Sequence, residues 1–406
     1  MNFFSSRLNP FSSRGEKVEG DQQSAQALAQ QSALAPERET GELLSQARAI
    51  ADQQLSPLVT AIDADGLYPE DVMRAYGKAG AFAQHVPNGE GEKPDITTSV
   101  EIMSIAGEQC LSTAFCMWCQ NALAWYIYNS DNDAVKTELG ARVASGVQLG
   151  GTGLSNPMKN FFGIERLKLK AERADGGYYV TGVLPWVSNL GPDHMFAIVF
   201  GVPESNDKRV MAVVDCAGEG VRLAENDHFV ALEGTRTYTI QLRKAFIPDG
   251  RILADPIDDY LLKIRAGFIL LQGGMAFGMV RSCIDLMEQT KPSLGHVNKY
   301  LPDQPEHFRE KLDALESKVT RLAAIPYETS KDYFIEVVRA RLEAGELAVA
   351  SAHNAMLHCG ASGYVSHGAA QRRLREAYFC AIVTPATKQL RKMLDDLGAP
   401  ATAMAH

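Results

Sequence analysis

The spacing of apolar residues changes its period twice along this chain, and that change limits the fold more than any single motif. From Gly41 to about Gly146 apolar residues recur at helical spacing in LLSQARAIADQQLSPLVTAI, EDVMRAYGKAGAF and SVEIMSIAGEQCLSTAFCMWCQNALAWYIYN, with Pro and Gly breaks between them. At VQLGGTGLSNP the pattern turns to short segments that alternate, or run apolar with β-branched residues, among them RLKLKAERA, YYVTGVLPWVS, HMFAIVFGV and YTIQLRKAFIP. Helical spacing returns from Pro256. Beyond Lys331, Phe334, Val338, Leu342, Val349 and Met356 recur at steps of four and seven, the stripe of a bundle helix. The first forty residues, rich in Ser, Gln, Ala and Arg, show no such stripe and read as a mobile tail. The predicted organisation is therefore α+β: a tail over 1–40, a helical domain over 41–146, an antiparallel β-domain over 147–255 and a C-terminal helical bundle over 256–406.

With 406 residues the chain can bury a sizeable core without disulfides or metals. Its net charge of -9 opposes approach to a phosphate backbone, so nucleic acid is not an expected partner. Seven cysteines, an odd number set mostly among apolar neighbours, read as buried free thiols in a reducing, cytoplasmic compartment. Arg7 and Arg14, with no acid before Glu16, loosely resemble a transit peptide, but bacterial tails share that composition and the plain reading is preferred. The longest apolar run, Ile264 to Val280, is broken by Arg265 and repeated glycines, so no membrane insertion is expected.

Few local motifs carry chemistry. Gly150-Gly151-Thr152-Gly153 lacks the third glycine of a dinucleotide fingerprint, and the residues after Leu154-Ser155-Asn156-Pro157 read as strand instead of helix. Cys116 and Cys119 sit in an apolar helix with no second ligand pair, and His353 and His358 are five apart, which turns them away from each other; no metal is expected. No Gly-x-Ser-x-Gly elbow supports a hydrolase. The informative stretch is Gly176-Gly177-Tyr178-Tyr179-Val180-Thr181-Gly182-Val183-Leu184-Pro185-Trp186-Val187-Ser188-Asn189. It predicts a turn and a strand whose end carries an indole, a hydroxyl and an amide, able to stack on and hydrogen-bond a flat heteroaromatic group; a Trp at a strand end is more often plain packing.

That stretch resembles the GYxLxGxKxWITN signature of the acyl-CoA dehydrogenase superfamily, with Trp186-Val187-Ser188-Asn189 in place of Trp-Ile-Thr-Asn. The resemblance runs through Gly150 to Ser155 as the flavin and substrate loop, Gly234-Thr235-Arg236-Thr237 before Phe246-Ile247-Pro248, the Gly/Ala-rich Gly273 to Gly278, Gly360-Ala361-Ser362-Gly363 and Arg375-Glu376-Ala377, covering residues 41 to 397 in order. It implies a helical domain, a middle antiparallel β-barrel and a C-terminal four-helix bundle, assembled as a homotetramer. It also implies bound flavin, FAD or FMN, held by Thr152, Ser155, Trp186 and Ser188, with Trp186 against the isoalloxazine and Ser188 near its N5. An acyl-CoA or other small molecule is the implied substrate, and an electron-transfer flavoprotein or a flavin reductase the implied redox partner.

The departures from the family bear on the reaction. The position of its usual catalytic glutamate falls on Thr384, and the alternative base position on the Gly/Ala-rich helix falls on Gly267. Neither can take an α-proton at neutral pH. Gln289-Thr290-Lys291-Pro292 and Leu357 stand where the family has further cofactor contacts. The expected function is a flavin-dependent oxidoreductase lacking the usual base. Two alternatives stay open: a two-component flavin-dependent monooxygenase, which Pro385 and Lys388 favour, and a non-catalytic flavin-binding or assembly protein. Candidate catalytic groups are Glu233, His367 and Ser188.

Overall fold

The computed structural model describes residues 40–86, 93–205, 208–226 and 228–400, so the expected tail lies, except for Thr40, outside the described residues. Six α-helices come first among the described residues: α1 Thr40–Ile50, α2 Val59–Ala64, α3 Glu70–Ala79, α4 Ile96–Gln109, α5 Leu111–Asn129 and α6 Asp133–Ala144. The Asp95 carboxylate starts α4 by accepting from the Thr98 backbone N–H at 2.8 Å, as an N-cap does. Every residue of α5 from Leu111 to Ile127 is buried, which explains why its sequence is apolar all round instead of amphipathic.

Eight strands come next: β1 Gly150–Thr152, β2 Leu169–Ala174, β3 Gly177–Val187, β4 Met195–Val202, β5 Lys208–Asp215, β6 Val221–Ala224, β7 Tyr238–Pro248 and β8 Ile252–Ala254. They form one sheet in the order β6-β7-β3-β2-β4-β5-β8, with β1 beside β4. Two features correct the sequence-based expectation of a closed antiparallel barrel. The sheet is open, because the short strands β6 and β8 end it without pairing to each other. It is also mixed, because β4 runs parallel to both β1 and β2. A seven-residue helix, α7 Ser155–Phe161, stands where strand was expected after the glycines.

Strand β4 is buried on both faces. Met195, Ala197 and Val199 join the large helical core, and the alternating Phe196, Ile198 and Phe200 join the core on the sheet's other side. A two-sided strand reads as an unbroken apolar run, as Met195 to Phe200 does.

The chain closes with α8 Asp258–Leu270, α9 Gly273–Asn298, α10 Pro305–Ala323, α11 Lys331–Cys359, α12 Ala369–Ile382 and α13 Thr387–Asp396. These share the large core with α1 to α6, and the described residues make one compact unit. The glycines of α9 permit close helix contact. A Cβ at Gly274 would meet the Val100 carbonyl oxygen at 2.6 Å, and one at Gly278 would collide with the Ser104 carbonyl oxygen, both on α4. The stretch Asp258–Asn298 is apolar enough for a membrane span, yet 89% of its most apolar window is buried within the fold. Helix α12 is tied to the end of α4 by Arg373, fully buried, which donates to the Gly107 carbonyl at 3.1 Å and pairs with Glu376 at 2.9 Å.

Two consequences can be measured. Burial pushes His85 down to about 4; its ring nitrogens lie 3.1 Å from the Ser99 hydroxyl and 2.8 Å from the Asn121 carbonyl. The unfolded chain, with an imidazole near its usual value of about 6.5, takes up the proton first, so this contribution to stability is complete above that pH and is lost as pH falls toward 4. Urea titrations should show little change from this group between about pH 7.5 and 6.5 and a loss approaching about 1.4 kcal/mol per pH unit between about pH 6 and 4.5, and His85→Asn should flatten that lower slope. A Cβ at Gly267 of α8 would lie 2.5 Å from the Trp125 ring of α5, whose indole N–H donates to the Ile264 carbonyl at 3.0 Å. Gly267→Ala should therefore lower the unfolding free energy by about 1–3 kcal/mol through overpacking, read by chemical denaturation.

Candidate active site

Between Leu184 and Val187, β3 advances three residues while β7 advances two, from Ile240 to Tyr238. The extra residue makes a bulge at Pro185-Trp186, where proline brings no N–H to the ladder. Trp186 is left with φ +58° and 59% exposed, turned out of the strand into the wall of a cavity of about 1560 Å³. Three residues on, Asn189 has φ +63°, a conformation that asparagine tolerates better than most side chains. Its amide nitrogen donates to the Gly150 carbonyl at 2.6 Å, its amide oxygen accepts from the Tyr68 hydroxyl at 2.6 Å, and its backbone N–H donates to the Thr235 carbonyl at 2.9 Å.

These anchors bring hydroxyls from distant segments to one wall. Ser188 lies 2.6 Å from the Thr237 hydroxyl, which is 2.8 Å from that of Thr235, and Thr235 in turn donates to the Leu232 carbonyl at 2.7 Å. Thr152, at the end of β1, is 3.1 Å from the Tyr126 hydroxyl of α5. Ser155 reaches across to Thr384, the two hydroxyls 2.9 Å apart. The turn bearing Thr384 is held from behind: Gln272 donates to the Thr384 carbonyl at 2.9 Å, and Arg341 of α11 bonds both the Gln272 amide oxygen and, at 2.7 Å, the Cys380 carbonyl. Among the described residues these neutral groups are its hydrogen-bond acceptors, and burial pushes the Arg341 guanidinium down to about 10.

Thr152, Ser155, Trp186 and Ser188, singled out from the sequence, all line this one cavity, as does Thr384. Gly267 does not, and Trp125 fills the space where a side chain there would go. Glu233 is corrected as a candidate base: its carboxylate accepts from the Phe229 backbone N–H and lies 3.3 Å from His228, fastening a loop instead of facing the cavity. His367 is likewise corrected; it is exposed on the connection between α11 and α12 and is not part of the cavity wall. Leu357 and Gln289 to Pro292 also lie outside that wall.

The acids among the described lining residues are Asp303 and Glu346, and Glu346 is ion-paired with Arg391. Burial pushes the Cys119 thiol and the Tyr126 phenol well up, so both stay protonated at neutral pH. Ser188 and Thr384 thus sit among hydroxyls and rings, with the cationic Lys159 and Lys388 also in the cavity wall. Sequence reasoning missed Tyr126, Thr235, Thr237 and Arg375, which line the cavity or bond its wall. Arg375 could have been found through the Arg-Glu-Ala motif; it bridges Asp63 at 2.5 Å and the Val230 carbonyl at 2.8 Å. Away from the cavity, Glu70, Asp193 and His194 bring three potential metal-ligand atoms within 4.8 Å of one another. Arg74 and Arg236 already engage Glu70, at 2.8 and 3.2 Å, which makes this an ion-pair cluster.

Residues 37–147 match the sequence profile of the acyl-CoA dehydrogenase N-terminal domain. The human mitochondrial short-chain specific acyl-CoA dehydrogenase is 24% identical over 348 residues, 82% of this chain and 84% of that protein. Among solved structures, a glutaryl-coenzyme A dehydrogenase in complex with glutaryl-CoA superposes with a TM-score of 0.79 at 18% identity, covering 92% of this chain and 99% of that one. A glutaryl-CoA dehydrogenase from Mycobacterium smegmatis in complex with FADH2 gives 0.71 at 17% identity, covering 91% and 97%. The helix, sheet and helix order, the profile over the first helices and relatives aligned across four fifths of the sequence all support the resemblance to the acyl-CoA dehydrogenase superfamily.

Proposed function

We propose that the protein is an FAD-dependent oxidoreductase acting on an acyl thioester. The observation that carries this reading is the meeting, in one cavity, of the Trp186 indole with the Thr152, Ser155 and Ser188 hydroxyls. The cavity, about 1560 Å³, exceeds the roughly 300–1,000 Å³ of a site for one small ligand and has room for a cofactor beside a substrate. An aromatic face flanked by neutral donors suits a flat, polar-edged ring system, so these residues fit a flavin. When bound, FAD supplies a hydride acceptor. Trp186 would cover one of its faces, and Ser188, oriented by Thr237, would donate to its edge. The relatives' names support an acyl thioester as substrate and an electron-transfer flavoprotein as redox partner.

By the family resemblance Thr384, hydrogen-bonded to Ser155, stands at the position of the family's catalytic carboxylate. A hydroxyl pair can orient and donate but cannot accept a proton at neutral pH, so dehydrogenation of straight-chain substrates should be slow. The same pair favours a second reading, oxygen-using chemistry, in which a donor to a developing oxyanion is wanted instead of a base. A homotetramer is the assembly we infer. Tyr378 and Ile382 line the cavity yet are 56% and 63% exposed, leaving that side of the site for a second copy to close.

Trp186→Ala should weaken FAD binding by about 1–3 kcal/mol, the size of a stacking contact, measured by fluorescence titration of the apoprotein. Unchanged affinity would remove Trp186 from the cofactor site. Thr384→Glu should speed anaerobic bleaching of the bound flavin by butyryl-CoA by about 10²-fold or more, followed by stopped-flow absorbance. Rapid bleaching of the unmodified protein would show instead that another group already serves as base.

A further inference from the structure

Four aromatic rings close one end of the cavity. Phe115 and Trp118, one turn apart on α5, stack with centroids 5.7 Å apart and planes inclined by 13°. Phe379 of α12 meets Phe115 edge-on at 4.5 Å, and Phe268 of α8 leans on Trp118 at 5.2 Å. All four line the cavity. The rings thus pack one on the next across α5, α8 and α12. The wall is also braced. The Trp118 indole N–H donates to the Phe268 carbonyl at 3.4 Å, and Tyr126 backs the Phe268 ring at 6.2 Å. The lining contributed by α5 and α8, these rings with Cys119, contains no ionised group.

We propose, on the basis of the acyl-thioester reading above, that the acyl group entering this end is a compact, uncharged aromatic ring, and that long straight chains are shut out. Aromatic side chains receive another ring face-offset or edge-on, and this wall presents both faces and edges. A long aliphatic chain would have to displace a packed ring, and overfilling a close-packed wall is unfavourable. Trp118 and Phe115 are then the residues that determine specificity. They stand on the most buried helix of the fold and cannot yield without disturbing their neighbours.

The test is isothermal titration calorimetry of the oxidised, FAD-loaded protein with 3-phenylpropanoyl-CoA and dodecanoyl-CoA. The coenzyme portion is common to both, so the ratio of their affinities reports the acyl end alone. The aryl thioester should bind at least about tenfold more tightly, a difference of about 1.4 kcal/mol. Trp118→Ala should shrink that ratio to within about threefold by admitting the long chain, and Phe115→Leu, a milder change, does the same should the alanine variant fail to fold. Equal or tighter binding of dodecanoyl-CoA by the unmodified protein overturns the proposal, as does a ratio unmoved in the folded variants. Discrimination by a protein that takes up no flavin would support the ring-lined pocket and overturn the oxidoreductase reading alone. A flavin-loaded protein that prefers dodecanoyl-CoA does the reverse.

Discussion

Asn189 is the residue on which the geometry of the cavity wall depends. Its side chain and backbone bond four segments: the Tyr68 hydroxyl between α2 and α3, the Gly150 carbonyl of β1, the Thr235 carbonyl ahead of β7, and His194, whose Nδ1 lies 2.9 Å from the Asn189 carbonyl oxygen. Those contacts join the first helices to the sheet at the point where Ser188 and Trp186 leave it. Asn189 is fully buried, so each of its polar groups, if left unpaired, would cost about 1–3 kcal/mol. An asparagine suits the position for two reasons: its amide both donates and accepts, and it adopts a left-handed backbone at lower cost than most residues.

Around that joint the backbone departs repeatedly from regular strand geometry. Trp186, Asn189, Leu232 and Arg236 all have positive φ, and they flank the same hydroxyl relay. Such conformations persist only where surrounding packing holds them, and here the two large cores meet on either side of β4 to do so. The β3 bulge breaks the strand's alternation, so Trp186, two residues after the buried Leu184, leaves that face and joins the cavity wall.

Charge is arranged with similar economy. The rings and hydroxyls of the cavity's wall are neutral, while a buried cation, Arg341, stands behind the Thr384 turn with amide and carbonyl oxygens as its acceptors. A buried guanidinium whose acceptors were removed would be strongly destabilising, so the turn is held in one position by the need to satisfy it. That position presents Thr384 to Ser155.

Periodicity determined a good deal of this. The helix, β, helix order of elements, the buried thiols and the strand-end signature at Trp186 to Asn189 come from spacing and residue type, which report how one element meets its surroundings. Sheet closure did not, because whether β6 and β8 pair depends on how eight strands curve together, and short edge strands read alike in an open sheet and a barrel. Nor did the base candidates. Glu233 is polar and lies near the right loop, but only the fold spends its carboxylate on the Phe229 backbone; Gly267 looks vacant in sequence until Trp125, from a helix more than a hundred residues earlier, occupies its space. The pairing of Ser155 with Thr384, 229 residues apart, and the meeting of Phe115 with Phe379 are likewise invisible to any local pattern. Sequence alone determined which faces are apolar, because burial imposes its period on each element separately. Tertiary structure decided which of those faces touch, because that depends on packing the elements together without voids or unsatisfied polar groups.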